Sequence, residues 1–258
     1  MKTVALTDLP SKGKRFEDTV KYPELQIGRL SLKEIGLFST AVTNKNPDSF
    51  VAGVQSLLNV PIRYLTVGDF YYVVTYLRCS MNTPLSLDWQ CDGFWYHLND
   101  SDDLIKAPDA RKMAMDVNTR NIRLVPVSCD QHNTEVFSFD EMIKVQLPDE
   151  MSELGEASAF ELPSAKIVAE YDRLSKDPTM AQLIPALQWI KHGDTLRDKL
   201  SWLQSQGDKD TVLFDEASKL QQKYAHGIGN LLIGTCTKCG TQVRQKFQLS
   251  AESFFRNI

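Results

Sequence analysis

Cys236-Thr237-Lys238-Cys239-Gly240 sets two thiols three positions apart between strand-like runs, Leu231-Leu232-Ile233 before it and Val243, Lys246-Phe247 and Leu249 after it. That spacing is the pattern of a metal knuckle. Such a turn holds two thiolates roughly 3.5 to 4 Å apart, uses a glycine where the backbone passes through positive φ, and directs amide N–H groups at the sulfurs. Zinc takes four ligands, so a second pair must come from elsewhere in the chain. The candidates are Cys91, His97, Cys129 and His132. Cys129-x-x-His132 has knuckle-like spacing at a predicted hairpin tip. Cys91 follows a strand ending at Trp89, but the position expected for its partner holds Phe94, which reads as a half-site broken on one side. The cofactor these positions admit is zinc; the alternative is a metal-free hairpin with two reduced thiols. A thioredoxin-type redox pair fits poorly, because that motif opens a helix and nothing helical follows Gly240.

Outward from the knuckle the chain reads as α+β. Residues 1–28, containing Leu9-Pro10-Ser11-Lys12-Gly13-Lys14, have neither helical nor strand period and read as an extended arm, either a frayed tail or a strap over a partner. Residues 29–83 are helical. Ser31 and Glu34 form a capping box before an apolar stripe of Leu32, Ile35, Leu37 and Phe38. Pro47 suits the first turn of a helix that buries Phe50, Val51, Val54, Leu57 and Leu58. Residues 67–79 are apolar almost all round, which marks a core helix, with Asp69 as its capping carboxylate.

From Pro84 the period becomes two. Leu85, Leu87 and Trp89 alternate with polar residues, and β-like runs at 94–98, 122–127, 135–139 and 143–147 predict a small antiparallel sheet over 84–162. The charged stretch 101–118 contains an amphipathic segment and reads as a mobile or solvent-facing excursion. Residues 163–228 return to helix, with apolar faces at Ile167, Val168, Tyr171 and Leu174, then at Leu183, Ile184, Leu187, Trp189 and Ile190. Asp194 is the expected cap of a third helix, and a fourth runs from Asp210 to His226-Gly227. Residues 229–258 close the chain as the knuckle hairpin, packed with the 84–162 region.

Composition bounds the function. In 258 residues, 29 basic and 33 acidic side chains give a formal charge of −4, which excludes a broad basic field for gripping nucleic acid or an anionic membrane. Five cysteines, an odd and small number, do not make a secreted disulfide framework and fit a reducing compartment. The N-terminus lacks a signal-like apolar stretch, and no run approaches the roughly 18 to 20 apolar residues of a spanning helix, so the cytosol is the expected place of synthesis. Neither Gly-x-Ser-x-Gly, a Walker loop, a dinucleotide glycine fingerprint nor His-Glu-x-x-His occurs. His192 and His226 fall at predicted helix C-termini, where an imidazolium complements the dipole. Asp102-Asp103 and Asp149-Glu150 lie in loop-like stretches, and the aromatic residues from Phe70 to Tyr96 suit a core or a protein interface. No set of residues here makes an active site.

In order and spacing the segments resemble a family of baseplate hub and hub-assembly proteins from T4-like contractile-tailed phages. The resemblance lies in the Leu9-Pro10-Ser11-Lys12-Gly13 arm, Leu30-Ser31-Leu32-Lys33-Glu34-Ile35, Leu65-Thr66-Val67-Gly68-Asp69-Phe70 leading to Tyr76-Leu77-Arg78, Pro84-x4-Trp89-x-Cys91, His226-Gly227, the knuckle and the terminal Phe254-Phe255. Related proteins often carry a second cysteine where this chain has Phe94. The resemblance implies a non-enzymatic role, as a virion component of the tail baseplate or as an assembly factor in the host cytoplasm. Its implied partners are other baseplate hub proteins and the tape-measure protein, with no membrane. Leu9, Pro10 and Lys12 of the arm, and Phe254 and Phe255 at the other end, become the expected partner contacts. The second reading is a zinc-ribbon nucleic-acid-binding or transcription-associated protein, with Lys238, Arg244, Lys246 and Arg256 as phosphate contacts.

Overall fold

A computed structural model describes residues 1–81, 85–98, 104–115, 123–229 and 231–246. Phe254, Phe255 and Arg256 lie outside the described residues. The chain divides into two compact units, one built from Met1–Thr83 and Ile143–Gly229, the other from Pro84–Met142 and Asn230–Phe247. The α+β class holds, but the boundaries differ from those expected: the arm joins both helical stretches, and the β region ends at Met142, not at 162.

In the first unit, β1 (Lys2–Ala5) pairs antiparallel with β2 (Glu24–Ile27). The arm is therefore folded onto its own unit. Leu9, Leu25 and Ile27 are wholly buried, and the Leu147 N–H donates to Pro10 O at 2.8 Å. Part of the arm is strand, with Val4 buried on β1 and Leu25 and Ile27 alternating on one face of β2; between them Leu9, Pro10 and Ser11 are buried in short turns, which carry no period. The helix α1 (Leu32–Thr43) opens as expected, with the Ser31 N–H donating to Glu34 Oε2 at 3.1 Å and the Lys33 N–H to Ser31 Oγ at 3.2 Å. Its stripe is narrower than predicted: Phe38 and Ala41 are buried, whereas Leu32 and Leu37 are exposed. The next helix, α2 (Pro47–Ser56), is capped by Asn46 and packs Phe50 on Phe38, ring centres 5.4 Å apart. The core helix α3 (Val67–Cys79) has the predicted bounds, a Thr66–Asp69 capping box, and fully buried Phe70, Val73 and Val74.

The second unit begins with β3 (Leu85–Gln90), β4 (Phe94–Leu98), β5 (Leu104–Lys106), α4 (Ala107–Met115), β6 (Leu124–Ser128) and β7 (His132–Phe137). Strand β3 pairs with β7, and β4 lies between β5 and β6, all antiparallel. The described part of the expected excursion at 101–118 is thus an edge strand and a helix, whose Ala110 is buried.

The chain returns to the first unit with β8 (Lys144–Val145), α5 (Val168–Leu174), α6 (Pro178–Leu187), α7 (Leu196–Gln204), α8 (Asp210–Lys223) and β9 (Gly227–Ile228), the last pairing with β8. Ile184, Leu187, Leu196, Leu220 and Tyr224 belong to one buried cluster. Helix α6 stops before Trp189 and Ile190, which enter that cluster from the following turn. Thr195, not Asp194, caps α7: its hydroxyl accepts the Asp198 N–H at 3.1 Å, and Asp194 instead pairs with Lys166 at 2.8 Å. Neither histidine complements a helix end. His192 lies past α6 and stacks on Trp202, ring centres 4.3 Å apart. His226 is held below the usual histidine pKa by burial, with Nδ1 2.9 Å from Tyr224 O and Nε2 2.8 Å from Thr66 Oγ1. The second unit closes with the hairpin β10 (Leu231–Thr235) and β11 (Gln242–Lys246). Among the described residues, no helix is long and apolar enough to cross a membrane.

Candidate metal centre

The two ladders of the second unit belong to one interrupted ribbon. The β3–β7 ladder ends at Gln90 facing His132, and the β4–β6 ladder begins at Phe94 facing Ser128. Between them each strand carries three extra residues, Cys91-Asp92-Gly93 on one side and Cys129-Asp130-Gln131 on the other. The backbone stays tied across this break, with the Cys91 N–H donating to Gln131 O at 2.8 Å and the Cys129 N–H to Gly93 O at 3.0 Å. Asp130 turns its strand at φ 44°. Cys91 and Cys129 thus sit on facing strands.

The second pair comes from the knuckle between β10 and β11. The Gly240 N–H donates to Cys236 O at 2.9 Å, and Gly240 has φ 75°, the left-handed region that glycine enters without a Cβ penalty. Cys91 Sγ lies 3.4 Å from Cys239 Sγ and Cys129 Sγ 3.6 Å from Cys236 Sγ; all four sulfurs fall within 4.8 Å of one another. A regular tetrahedron of Zn–S bonds of about 2.3 Å has edges of roughly 3.8 Å, so the four sulfurs are spaced for a single ion. They are too far apart for disulfides, and all four are free.

The sulfurs are buried, none more than 4% exposed, and are met by N–H donors. The Gly93 N–H reaches Cys91 Sγ at 3.3 Å, the Gln131 N–H reaches Cys129, and those of Lys238 and Cys239 reach Cys236. Asn133 adds a side-chain N–H to Cys236 Sγ at 3.5 Å while its Oδ1 accepts the Thr237 N–H at 3.3 Å. Burial pushes the Cys91 thiol up to about 12 and raises that of Cys129. At Cys236 burial acts in the same upward direction, but the donors of Cys239, Lys238 and Asn133, with the Cys129 thiol, outweigh it and bring the group down to about 6. The arrangement therefore favours a thiolate first at the knuckle.

Several sequence-based expectations change here. Phe94 does not mark a lost ligand, because the partner of Cys91 is Cys129 on the facing strand. His132 is not a ligand: three residues after Cys129 the chain has already entered β7, where His132 is exposed opposite Gln90. His97 is also outside the cluster; its ring lies 4.8 Å from Trp95, which packs on the cysteines beneath Lys238 Nζ, 5.0 Å from the ring centre. Among the expected partner contacts, Leu9 and Pro10 are buried in their own unit, and Lys12 pairs with Asp149 at 2.7 Å. Asn133 and Thr241, whose Oγ1 lies 3.2 Å from Cys239 Sγ, were not foreseen because polar supports of a metal site have no spacing rule of their own. Chemically, a buried shell of four thiols can hold one soft tetrahedral cation and leaves no position open for a substrate. Comparison of the chain with protein-family models, with characterised proteins and with solved structures finds no match.

Proposed function

We propose that this chain is a structural or assembly protein of the baseplate hub of a contractile-tailed phage, working through protein–protein contacts without catalysis. Zinc bound by Cys91, Cys129, Cys236 and Cys239 would act as a rigid organiser of the β unit. The observation that carries the structural, non-catalytic part of this reading is the closed four-thiol shell. Catalytic zinc sites keep one position for water or substrate, whereas all-cysteine shells serve architecture.

The resemblance in segment order supplies the setting, with other hub proteins and the tape-measure protein as partners. Since the arm is spent on its own core, contact falls to exposed apolar side chains such as Phe94 on β4 and Val136 on β7, which are 50% and 55% exposed. The test is mass spectrometry of virions beside a pull-down from infected cells. Recovery of hub proteins in the pull-down is expected; presence in virions as well identifies a component, and absence from virions an assembly factor. Capture of no tail protein, together with tight and steeply salt-dependent DNA binding, overturns the reading in favour of a nucleic-acid-binding ribbon.

A further inference from the structure

The knuckle hairpin has no ladder to the rest of its unit among the described residues: β10 pairs with β11, and the ribbon strands pair with one another and, at β4, with β5. A two-stranded hairpin is marginal in water by itself. Among the described residues its other ties to the ribbon are side-chain contacts: Lys238 lies over the Trp95 ring, the Asn133 amide reaches Cys236 Sγ and Thr241 lies against Gly93. The Thr235 N–H donates to the Glu135 carboxylate at 3.2 Å, Thr237 meets Asn133, and Gly234 lies against the Trp89 ring. The sulfur pairs both cross this junction, Cys91 to Cys239 over 148 residues of sequence and Cys129 to Cys236 over 107. Residues 143–229 between them are closed on themselves by the β8–β9 pair, with Lys144 opposite Ile228, so what the hairpin lacks is a fastening to the ribbon and not the closure of a long loop.

The two units also differ in what fills them. The first has a buried cluster of aliphatic and aromatic side chains that includes no thiol. In the second, the four cysteines are themselves a buried cluster, with Trp95 packed on it, and among the described residues the other buried apolar ones are Leu87, Ala110, Phe139, Met142 and Leu232. Small units with so little apolar core depend on a staple.

We infer that a bound divalent, thiol-seeking cation fastens the hairpin to the ribbon, so that the second unit folds only with metal while the first folds without it. This rests on the zinc reading above and adds to it. An ion at the centre of the four sulfurs bonds two ligands from the hairpin and two from the ribbon at once. Its binding free energy is therefore spent on joining the two pieces. Without the cation the sulfurs offer each other only weak S–H contacts in a buried space.

The experiment is hydrogen exchange of the full chain, read by mass spectrometry before and after zinc is stripped by a chelator under reducing conditions, then after addition of Zn2+ or Co2+. Amides of β3, β7, β10 and β11 are expected to exchange about a hundredfold faster in the stripped protein, while those of α3 and α8 stay within about threefold. Added Co2+ is expected to restore protection and to give the absorption of a tetrahedral thiolate complex. Cys91→Ser and Cys129→Ser each reproduce the stripped pattern, and Cys79→Ser, outside the cluster, does not. Loss of metal with unchanged exchange in the β strands overturns the inference and leaves the zinc reading standing. Loosening of both units together also overturns it. A chain that carries no zinc and takes up no Co2+ overturns the zinc reading and the inference with it.

Discussion

The Asp69 carboxylate accepts the Ser11 N–H at 2.9 Å and the Thr66 N–H at 3.0 Å, so one buried side chain both caps α3 and anchors the arm. Asp69→Ala strands both donors in a site without solvent and is expected to cost about 3 kcal/mol, whereas Asp69→Asn, which keeps one acceptor oxygen, costs about half as much. Urea denaturation of the two variants measures this. Equal, small losses would mean that water replaces the carboxylate.

His226 predicts a pH dependence. Its Nδ1 faces the Tyr224 carbonyl, which only accepts, so Nδ1 carries the hydrogen and Nε2 receives the Thr66 hydroxyl. Burial lowers the folded-state pKa, with the Tyr224 carbonyl and Asp69 opposing. An unfolded histidine takes its proton near pH 6.5, and the folded one does so only at lower pH, so between these values the unfolded state holds more protons. The contribution is complete above about pH 6.5 and is lost as pH falls through the folded-state value, with a limiting slope of about 1.4 kcal/mol per pH unit. Thermal melting against pH is expected to be flatter over this range for His226→Gln. Superimposable profiles would exclude the histidine as the source.

A second buried charge predicts an asymmetry between its partners. Lys199 is 1% exposed and binds Glu161 Oε1 at 3.1 Å and the Ile190 carbonyl, while Glu161 also meets Arg15 at 3.4 Å. Glu161→Ala leaves the ammonium without its counter-charge and is expected to cost about 3 to 5 kcal/mol; Lys199→Met, which fills similar space, costs less than half of that. Chemical denaturation ranks the two, and the reverse order would show that the lysine stem, not the charge, matters.

Crowding beside the sulfurs predicts a paired effect. A Cβ at Gly93 would lie 2.6 Å from Thr241 Cβ, closer than any real packing. Gly93→Ala is expected to weaken zinc about tenfold, and combining it with Thr241→Gly to regain part of the loss. Competition with a chromogenic chelator reads both; additive losses would place the strain elsewhere.

Elements governed by local chemistry were legible in the sequence. Thr66 and Asp69 mark the start of α3, a continuous apolar run carries it to Cys79, and the knuckle declares itself through two thiols and a glycine. The other half of the metal centre was legible in part: Cys91 and Cys129 stood among the candidate ligands and both join the cluster, but their pairing was not, because they come from facing strands whose distance along the chain carries no period. Along the same strand the knuckle spacing falls on Phe94, and from Cys129 it falls on His132, which the β7 register turns to solvent. The fold of the arm was equally silent. Leu9 is wholly buried and its carbonyl accepts the Gln146 amide at 3.4 Å, a tie across 137 residues that no local pattern records.

The fastening of the arm also sets an order of events during synthesis. Pro10 waits for Leu147, and Arg15 waits for Glu161 and the Leu162 carbonyl. At ribosomal rates of about 5 to 20 residues per second, Pro10 and Arg15 are made many seconds before these partners. Strands β1 and β2 can pair, and Ser11 can meet Asp69, well before then, so the arm reaches its native place in two stages, its ties to Leu147 and Glu161 coming second.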